Sequence, residues 1–268
     1  MDRKILVFLD IDGTLLTPDY KTNSDDLPKV IETLAKRGFL FGINSNRSYE
    51  DIIPIVRQFN LNGPIIVENG IYYVMPPYDL GSVTMIVQAE DIKEKLRNEL
   101  EPLAARDGAY LKWSDTVNMD RTGLAKYPLA WVANIFRKYT ASIHVRSFGE
   151  KNPELARELA DLIVKEGNFA DYHVKATSVF SNVLIFPKST DKGVAISMLK
   201  KIFFQDSTIV LIGDDLADMP GAQIADFMFA PSNADSELKD VADFVSDYSY
   251  TQGVIDILNR VDGILDLE

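Results

Sequence analysis

Cysteine is absent from the 268-residue chain, which excludes disulfides and thiolate metal sites. Histidine is scarce: His144 and His173 stand far apart in strand-like runs, so a histidine-rich zinc centre is not expected. Each reads as a half-exposed strand residue. No apolar run approaches the roughly 20 residues that span a bilayer. A basic block is missing too; the densest cationic stretches are short, as at Arg137-Lys138, and the net charge is −12. That balance argues against nucleic acid or an anionic membrane as partner, because phosphate contacts need a basic patch. The start, Met1-Asp2-Arg3-Lys4, is charged and carries no small-residue cleavage site, so a signal peptide is not expected and the reading is a cytoplasmic protein. Any metal must be held by carboxylates, which favours a hard ion such as Mg²⁺.

What is present is a rhythm. Ile5 to Leu9 is an apolar, β-prone run; Leu27, Val30, Ile31 and Leu34 recur at helical spacing; Phe39 to Ile43 is a second strand. A helix with Ile52, Ile53, Ile55 and Val56 inside and the strand Pro64 to Val67 complete β-α-β-α-β. The last eighty residues resume it: a helix capped by Thr190 or Asp191, the strand Thr208–Ile212, the strand Phe227–Ala230 and a final helix over about 253–261. Strands alternating with helices predict an α/β fold, a Rossmann-like parallel sheet covered on both faces. The middle differs. Met75-Pro76-Pro77-Tyr78 reads as a linker, followed by alternating segments at Val83–Val87, Ser142–Arg146 and Tyr172–Lys175, with a helix after Asn152-Pro153. The organisation predicted is a discontinuous core of residues 1–78 and 185–268, with residues 79–184 an inserted α+β domain.

Polar residues gather where the apolar runs end. Asp10-Ile11-Asp12-Gly13-Thr14 follows the first strand, Ser45 in Asn44-Ser45-Asn46-Arg47 the second, and Gly213-Asp214-Asp215-Leu216-Ala217-Asp218 the Thr208–Ile212 strand; Lys192 opens a helix. Buried strands do not favour carboxylates, and in a parallel sheet these ends share one edge, where sites form. Several acids, one lysine, a hydroxyl and a glycine-turned backbone make an inventory for phosphoryl transfer with a hard metal. In that chemistry Asp10 attacks phosphorus and Asp12 serves as general acid and base. Ser45 and backbone N–H groups near Asp12 and Gly13 hold phosphoryl oxygens, Lys192 neutralises charge, and Asp214 completes the metal site. Asp215 reads as a loop or capping acid.

With these four clusters in this order, the chain resembles the haloacid dehalogenase-like hydrolase superfamily, most of whose members are Mg²⁺-dependent phosphatases. Glu68-Asn69-Gly70, Asn233-Ala234 and Gly253-Val254 are similar to its Cof-type subgroup. The long interval between Ser45 and Lys192 matches relatives with a cap domain there, such as sucrose phosphatase and mannosyl-3-phosphoglycerate phosphatase. The resemblance implies Asp10 as nucleophile and metal ligand, Asp12 as acid/base binding metal through its backbone carbonyl, and Asp214 as metal ligand. Lys192 is implied as anchor of phosphate and Asp10, and Asp218 as support behind the ligands. Gly13, Thr14, Ser45, Asn46, Arg47 and Lys192 form the expected phosphate and substrate contacts, with an ion pair to a surface acid an equal alternative for Arg47.

Two positions depart from the pattern: Ser45-Asn46-Arg47 stands where the family often has Thr-Gly-Arg, and Ala217-Asp218 where it has Asn-Asp. The activity implied is a phosphomonoesterase acting on a small phosphorylated metabolite, a sugar phosphate or a phosphorylated acid. A phosphomutase of the same fold and a non-catalytic binding or regulatory protein are the rival readings. The partner implied is a small metabolite, with no nucleic acid, no membrane and no assigned oligomeric state. In the inserted domain, Arg121, Lys126, Arg146 and Lys175 are surface cations available to an anion, and Trp113, Tyr127 and Trp131 read as core.

Overall fold

The first strand, β1 (Ile5–Leu9), is built of residues that must be buried on both faces, and Leu6 to Leu9 have no exposed surface. After it come α1 (Leu27–Ala35), β2 (Leu40–Asn44), α2 (Tyr49–Gln58), β3 (Ile65–Val67), β4 (Tyr72–Val74) and β5 (Val83–Met85). A second group follows: α3 (Lys93–Asp107), β6 (Tyr110–Ser114), α4 (Arg121–Leu124), β7 (Ala130–Asn134), β8 (Ala141–Ser147), β9 (Glu150–Lys151), α5 (Pro153–Glu166), β10 (Tyr172–Thr177) and β11 (Asn182–Pro187). The chain ends with α6 (Lys192–Phe203), β12 (Thr208–Ile212), α7 (Met219–Ala222), β13 (Phe227–Ala230), α8 (Ser236–Lys239), β14 (Phe244–Val245) and α9 (Tyr250–Leu265). The structure is a computed structural model that describes residues 4–115 and 121–265.

The larger sheet has the order β14-β13-β12-β1-β2-β3-β4-β5. It is parallel from β14 to β3, and β4 and β5 add antiparallel strands at one edge. On one face Leu6 and Phe8 pack with Ile209 and Leu211 against Ala195, Ile196 and Leu199 of α6. The register aligns Leu9 with Ile212 on one side and Ile43 on the other, so the carboxyl ends of β12, β1 and β2 lie side by side. The parallel α/β core read from the sequence is therefore the observed one, and the final helix begins earlier and ends later than its periodicity indicates.

The smaller sheet runs β10-β11-β8-β7-β6, with β9 paired to β8. Ile143 and Val145 of β8 and Trp131 and Ala133 of β7 pack with Leu96 and Leu100 of α3 and Leu159 and Ile163 of α5. Alternation sends Ser142, His144 and Arg146 to the other face, and they are buried there as well, Arg146 completely. This corrects two expectations. His144 is not half-exposed: it lies near Ser142 Oγ (3.5 Å) and Arg146 Nη2 (3.4 Å). Arg146 is not a surface cation: its Nη1 donates to the carbonyls of Val145, Phe180 and Ser181. A polar residue in an alternating strand reads as solvated, and here the polar face is covered.

Two compact units result, Met1–Gln88 with Thr190–Glu268, and Ala89–Ser189. The boundaries differ from 79 and 184 for a physical reason. β4 presents an open strand edge, and Val83–Met85 pairs with it, which keeps that segment with the larger sheet. At the other end β11 runs on to Pro187, paired with Tyr172 of β10.

One turn fastens the larger unit next to β3. Glu68, Asn69 and Gly70 take φ of 47°, 62° and 87° in succession. Asn69 N–H donates to Ser45 O at 3.2 Å, and a Cβ on Gly70 would lie 2.2 Å from Asp191 O. Gly70→Ala combines a left-handed φ with a backbone clash, and is expected to lose about 2 kcal/mol or more. A urea midpoint lowered at unchanged slope is the expected reading; an unchanged midpoint would contradict this account of the turn.

Candidate active site

Lys192 is the first residue of α6, whose start is fixed by Asp191 Oδ1 accepting the N–H of Gly193 (2.8 Å) and of Val194 (2.9 Å). Two further bonds hold this start against the sheet: Asn44 Nδ2 donates to Lys192 O at 3.1 Å, and Asn69 Nδ2 to Thr190 O at 3.4 Å. The side chain of Lys192 is 3% exposed and points its ammonium at two carboxylates, Asp10 Oδ1 and Asp218 Oδ1, each 2.8 Å away. Asp218, wholly buried, uses its other oxygen to accept the N–H of Asp214 (3.0 Å) and Asp215 (3.4 Å), which shapes the loop after β12. Asp10 N–H donates to Ile212 O at 2.9 Å and continues the β1–β12 pairing to the last residue before the loop.

Asp214 faces Asp10 from that loop. Its Oδ1 accepts the Thr14 hydroxyl at 2.7 Å, and Thr14 is fully buried. Gly13 has φ +96°, and a Cβ there would lie 2.0 Å from Asp214 Oδ2, so only glycine lets the two loops close on each other. Asn233 holds both: its Nδ2 donates to Gly13 O at 2.8 Å while its Oδ1 accepts Tyr250 N–H at 2.9 Å, and Asp235 N–H donates to Asp214 O at 2.8 Å. Asp10, Asp214 and Asp218 thus bring one oxygen each within 4.8 Å of one another, an all-oxygen set that a cation can enter. Of the three, Asp218 is already occupied by Lys192 and two backbone N–H groups, which leaves Asp10 and Asp214 as the available oxygens.

The electrostatics follow from three acids around one lysine. Burial pushes the Asp10 carboxyl up to about 8, opposed by Lys192 and reinforced by Asp218. Burial also pushes Asp214 up to about 9, with Asp10 and Asp218 adding repulsion and the Thr14 hydrogen bond acting the other way. For Lys192 burial disfavours the ammonium, but Asp10 and Asp218 override it and hold the lysine well above its ordinary value.

Asp12 belongs to a different pair. Its two oxygens are gripped by Arg47, Nε to Oδ2 at 2.8 Å and Nη2 to Oδ1 at 2.6 Å, a two-pronged guanidinium–carboxylate contact. Arg47 is 5% exposed. Burial works against the guanidinium, yet Asp12, with Asp51 beyond it, leaves its pKa raised. Ser48 Oγ in turn donates to Asp51 Oδ2 at 2.7 Å. Of the two readings of Arg47 from the sequence, substrate contact or ion pair with an acid, the structure shows an ion pair, and its acid is Asp12. Ser45 is buried, and its Oγ accepts Arg47 N–H at 3.2 Å. The Oδ1 atoms of Asn44 and Asn46 are buried without a hydrogen-bond partner.

Asp215 accepts Ala217 N–H at 2.8 Å and is exposed, in keeping with a loop acid. In the smaller unit Trp131 is core, Trp113 packs beside it, and Tyr127 stacks on Tyr110. Lys126 and Lys175 are exposed, whereas the side chain of Arg121 lies outside the described residues. Sequence reasoning did not assign the supporting asparagines Asn44, Asn69 and Asn233. The signal available for Asn44 was an amide closing an otherwise apolar strand.

Known proteins are similar to this chain over most of its length. The chain is 25% identical over 269 residues to a phosphoglycolate phosphatase of Thermoplasma volcanium, covering 95% of this chain and 97% of the relative. It is also 25% identical over 238 residues to a mannosyl-3-phosphoglycerate phosphatase of Pyrococcus furiosus, covering 84% and 89%. In fold it matches a solved Thermoplasma acidophilum protein with a TM-score of 0.69 at 19% identity, over 97% of this chain and 99% of that one. A haloacid dehalogenase-like hydrolase from Bacteroides thetaiotaomicron gives a TM-score of 0.70 at 17% identity, over 97% and 100%. The family profile described as haloacid dehalogenase-like hydrolase spans residues 7–258, from β1 into α9, and the chain belongs to that family.

Proposed function

We propose that the protein is a Mg²⁺-dependent phosphomonoesterase that hydrolyses a small phosphorylated metabolite, a sugar phosphate or a phosphorylated acid, through a phosphoryl group carried on Asp10. The observation that carries this reading is the buried Lys192 ammonium shared by Asp10 and Asp218 with Asp214 alongside. The phosphatase names of the relatives support it, and two of them concern phosphorylated acids.

The residues fit a hard divalent cation. Asp10 and Asp214 are oxygen donors whose ionisation is opposed by burial and mutual repulsion, so added positive charge is what they lack. The missing Cβ of Gly13 leaves room for the Asp214 carboxylate, which occupies that place. Asp10, Asp214 and the backbone carbonyl of Asp12 would hold the ion, with Asp218 bracing them from behind. When bound, Mg²⁺ supplies charge that keeps these carboxylates ionised and offsets the charge of the phosphoester.

The protein's own groups then carry the reaction. An Asp10 oxygen attacks phosphorus, a bond to phosphorus forms there, and the bond to the leaving alcohol oxygen breaks. That oxygen takes a proton from Asp12. In the second half Asp12, now a carboxylate, takes a proton from water as the water attacks the aspartyl-phosphate, releasing inorganic phosphate and restoring Asp10. Arg47 holds both Asp12 oxygens and sets where they stand beside the reacting group. Lys192, Ser45 and the N–H groups around Gly13 and Thr14 hold the phosphoryl oxygens.

Replacing Asp10 by Asn removes the nucleophile while also removing one of the crowded charges. Phosphate release from p-nitrophenyl phosphate is expected to fall on the order of 10³-fold or more, with thermal stability retained. Turnover near the parent value in Asp10→Asn would sink the mechanism.

A pH prediction follows from the raised carboxyls. Asp10 and Asp214 have an ordinary value of 3.8 in the unfolded chain and about 8 and about 9 in the fold. The folded protein therefore binds more protons over that interval, and the site's contribution to stability falls as pH rises through it. Divalent binding displaces those protons, so millimolar MgCl₂ should raise Tm more at about pH 8 than at about pH 5.5. Asp214→Asn should abolish that difference; an equal Mg²⁺ shift at both pH values would contradict the assignment.

A further inference from the structure

The loop that follows Asp12 turns back through Thr17–Lys21, closed by Thr17 N–H to Lys21 O at 2.9 Å and Tyr20 N–H to Thr17 O at 2.8 Å. Tyr20 takes φ 61° in this turn. Glycine or asparagine is the ordinary occupant of that conformation, and a bulky aromatic side chain there is an outlier. Strained backbone of this kind persists where surrounding structure and function require the side chain. What the side chain reaches is Arg47: the guanidinium carbon lies 5.5 Å from the centre of the Tyr20 ring.

We infer that Tyr20 is a positioning residue for the Asp12–Arg47 pair: the guanidinium lies over its ring, and that contact keeps the Arg47 fork aligned with Asp12. This rests on the reading of Asp12 as acid/base. The guanidinium has one prong edge on Asp12, the charge of Asp51 beyond, and Asp51 is itself fixed by Ser48. Those contacts set where the guanidinium sits along its edge and do not fix its tilt. The Tyr20 ring beneath the guanidinium adds a restraint from another direction, and a planar fork loses its two-pronged match to a carboxylate when it tilts. Tyr20 lies eight residues after Asp12 in the same loop, so the loop that carries the acid/base also carries the group that steadies its partner. The site-forming clusters read from the sequence did not include it.

The test uses the intact chain and separates positioning from packing. Tyr20→Gly relieves the left-handed φ and removes the ring; Tyr20→Phe keeps the ring and the strain. With p-nitrophenyl phosphate and Mg²⁺, Tyr20→Gly is expected to lose about tenfold to a hundredfold in kcat with KM little changed, while its Tm equals or exceeds that of the parent. Tyr20→Phe is expected to stay within about twofold of the parent kcat. A parent-like kcat in Tyr20→Gly, a Tm loss that parallels the kcat loss, or an equal loss in Tyr20→Phe would each overturn the inference. A readout independent of turnover accompanies them: the Arg47 Nε–H resonance, assigned through Arg47→Lys, should exchange slowly in the parent and in Tyr20→Phe and broaden in Tyr20→Gly. A slow Nε–H in Tyr20→Gly would overturn the positioning role whether or not the protein releases phosphate. Absence of phosphate release from the parent, with the resonance behaving as expected, would instead count against the phosphatase reading alone.

Discussion

The shared ammonium of Lys192 is the interaction on which the rest of the site depends. A buried lysine is costly unless paired, and a buried carboxylate likewise. Here one cation satisfies two acids from different loops, Asp10 after β1 and Asp218 after β12. Because Asp218 also receives the Asp214 and Asp215 N–H groups, the same contact fixes the backbone from which Asp214 projects. The position of the ammonium is in turn decided by α6, and α6 is registered to the sheet by the Asp191 cap, the Asn44 amide and the Asn69 turn. Removing the lysine would leave buried acids with no cation, so that substitution strikes folding together with the chemistry proposed for the site.

The two aspartates of the Asp-Ile-Asp segment are divided between two cations. Asp10 faces Lys192, and Asp12 faces Arg47 from the loop after β2. The parallel register makes this possible, since β1 lies between β12 and β2 and its carboxyl end has a loop on either side. One aspartate is kept in a crowded acidic cluster that burial pushes towards the neutral form. The other is kept in a two-pronged pair with a guanidinium. The attacking and proton-transferring roles proposed for them have different needs, and two residues apart in sequence is enough to give them different surroundings.

The core was legible because a parallel strand buried on both faces has a signature that few other structures share, an unbroken run such as Thr208–Ile212 closed by glycine and acids. The site clusters were legible for the converse reason, since carboxylates at the end of such a run have no packing role. Three things were not. Val83–Met85 alternates in a way that suits the edge of either sheet, so its pairing with β4 depended on which open edge lay near. His144 and Arg146 occupy alternate strand positions that read as solvent-facing, and only the tertiary covering of that face buries them. The Arg47–Asp12 pair and the tyrosine over it join residues with no local spacing rule, and Asn44, Asn69 and Asn233 look like ordinary turn amides until their partners are known.

The departures from the family pattern can be weighed by what they touch. Ala217 is exposed, and its N–H is taken by Asp215. The groups that hold Asp214 are Thr14, the Asp235 N–H to its carbonyl and Asp218, and none of them is at a departing position. Asn46 differs in kind, because its Oδ1 is a buried acceptor with no partner, and such an atom forfeits solvation without return. Charge points the same way. The Arg47–Asp12 pair is balanced, whereas Asp10, Asp214 and Asp218 around Lys192 carry two uncompensated negative charges when all are ionised. Neither departure touches a carboxylate of that cluster, so both leave in place the charge condition for the chemistry proposed.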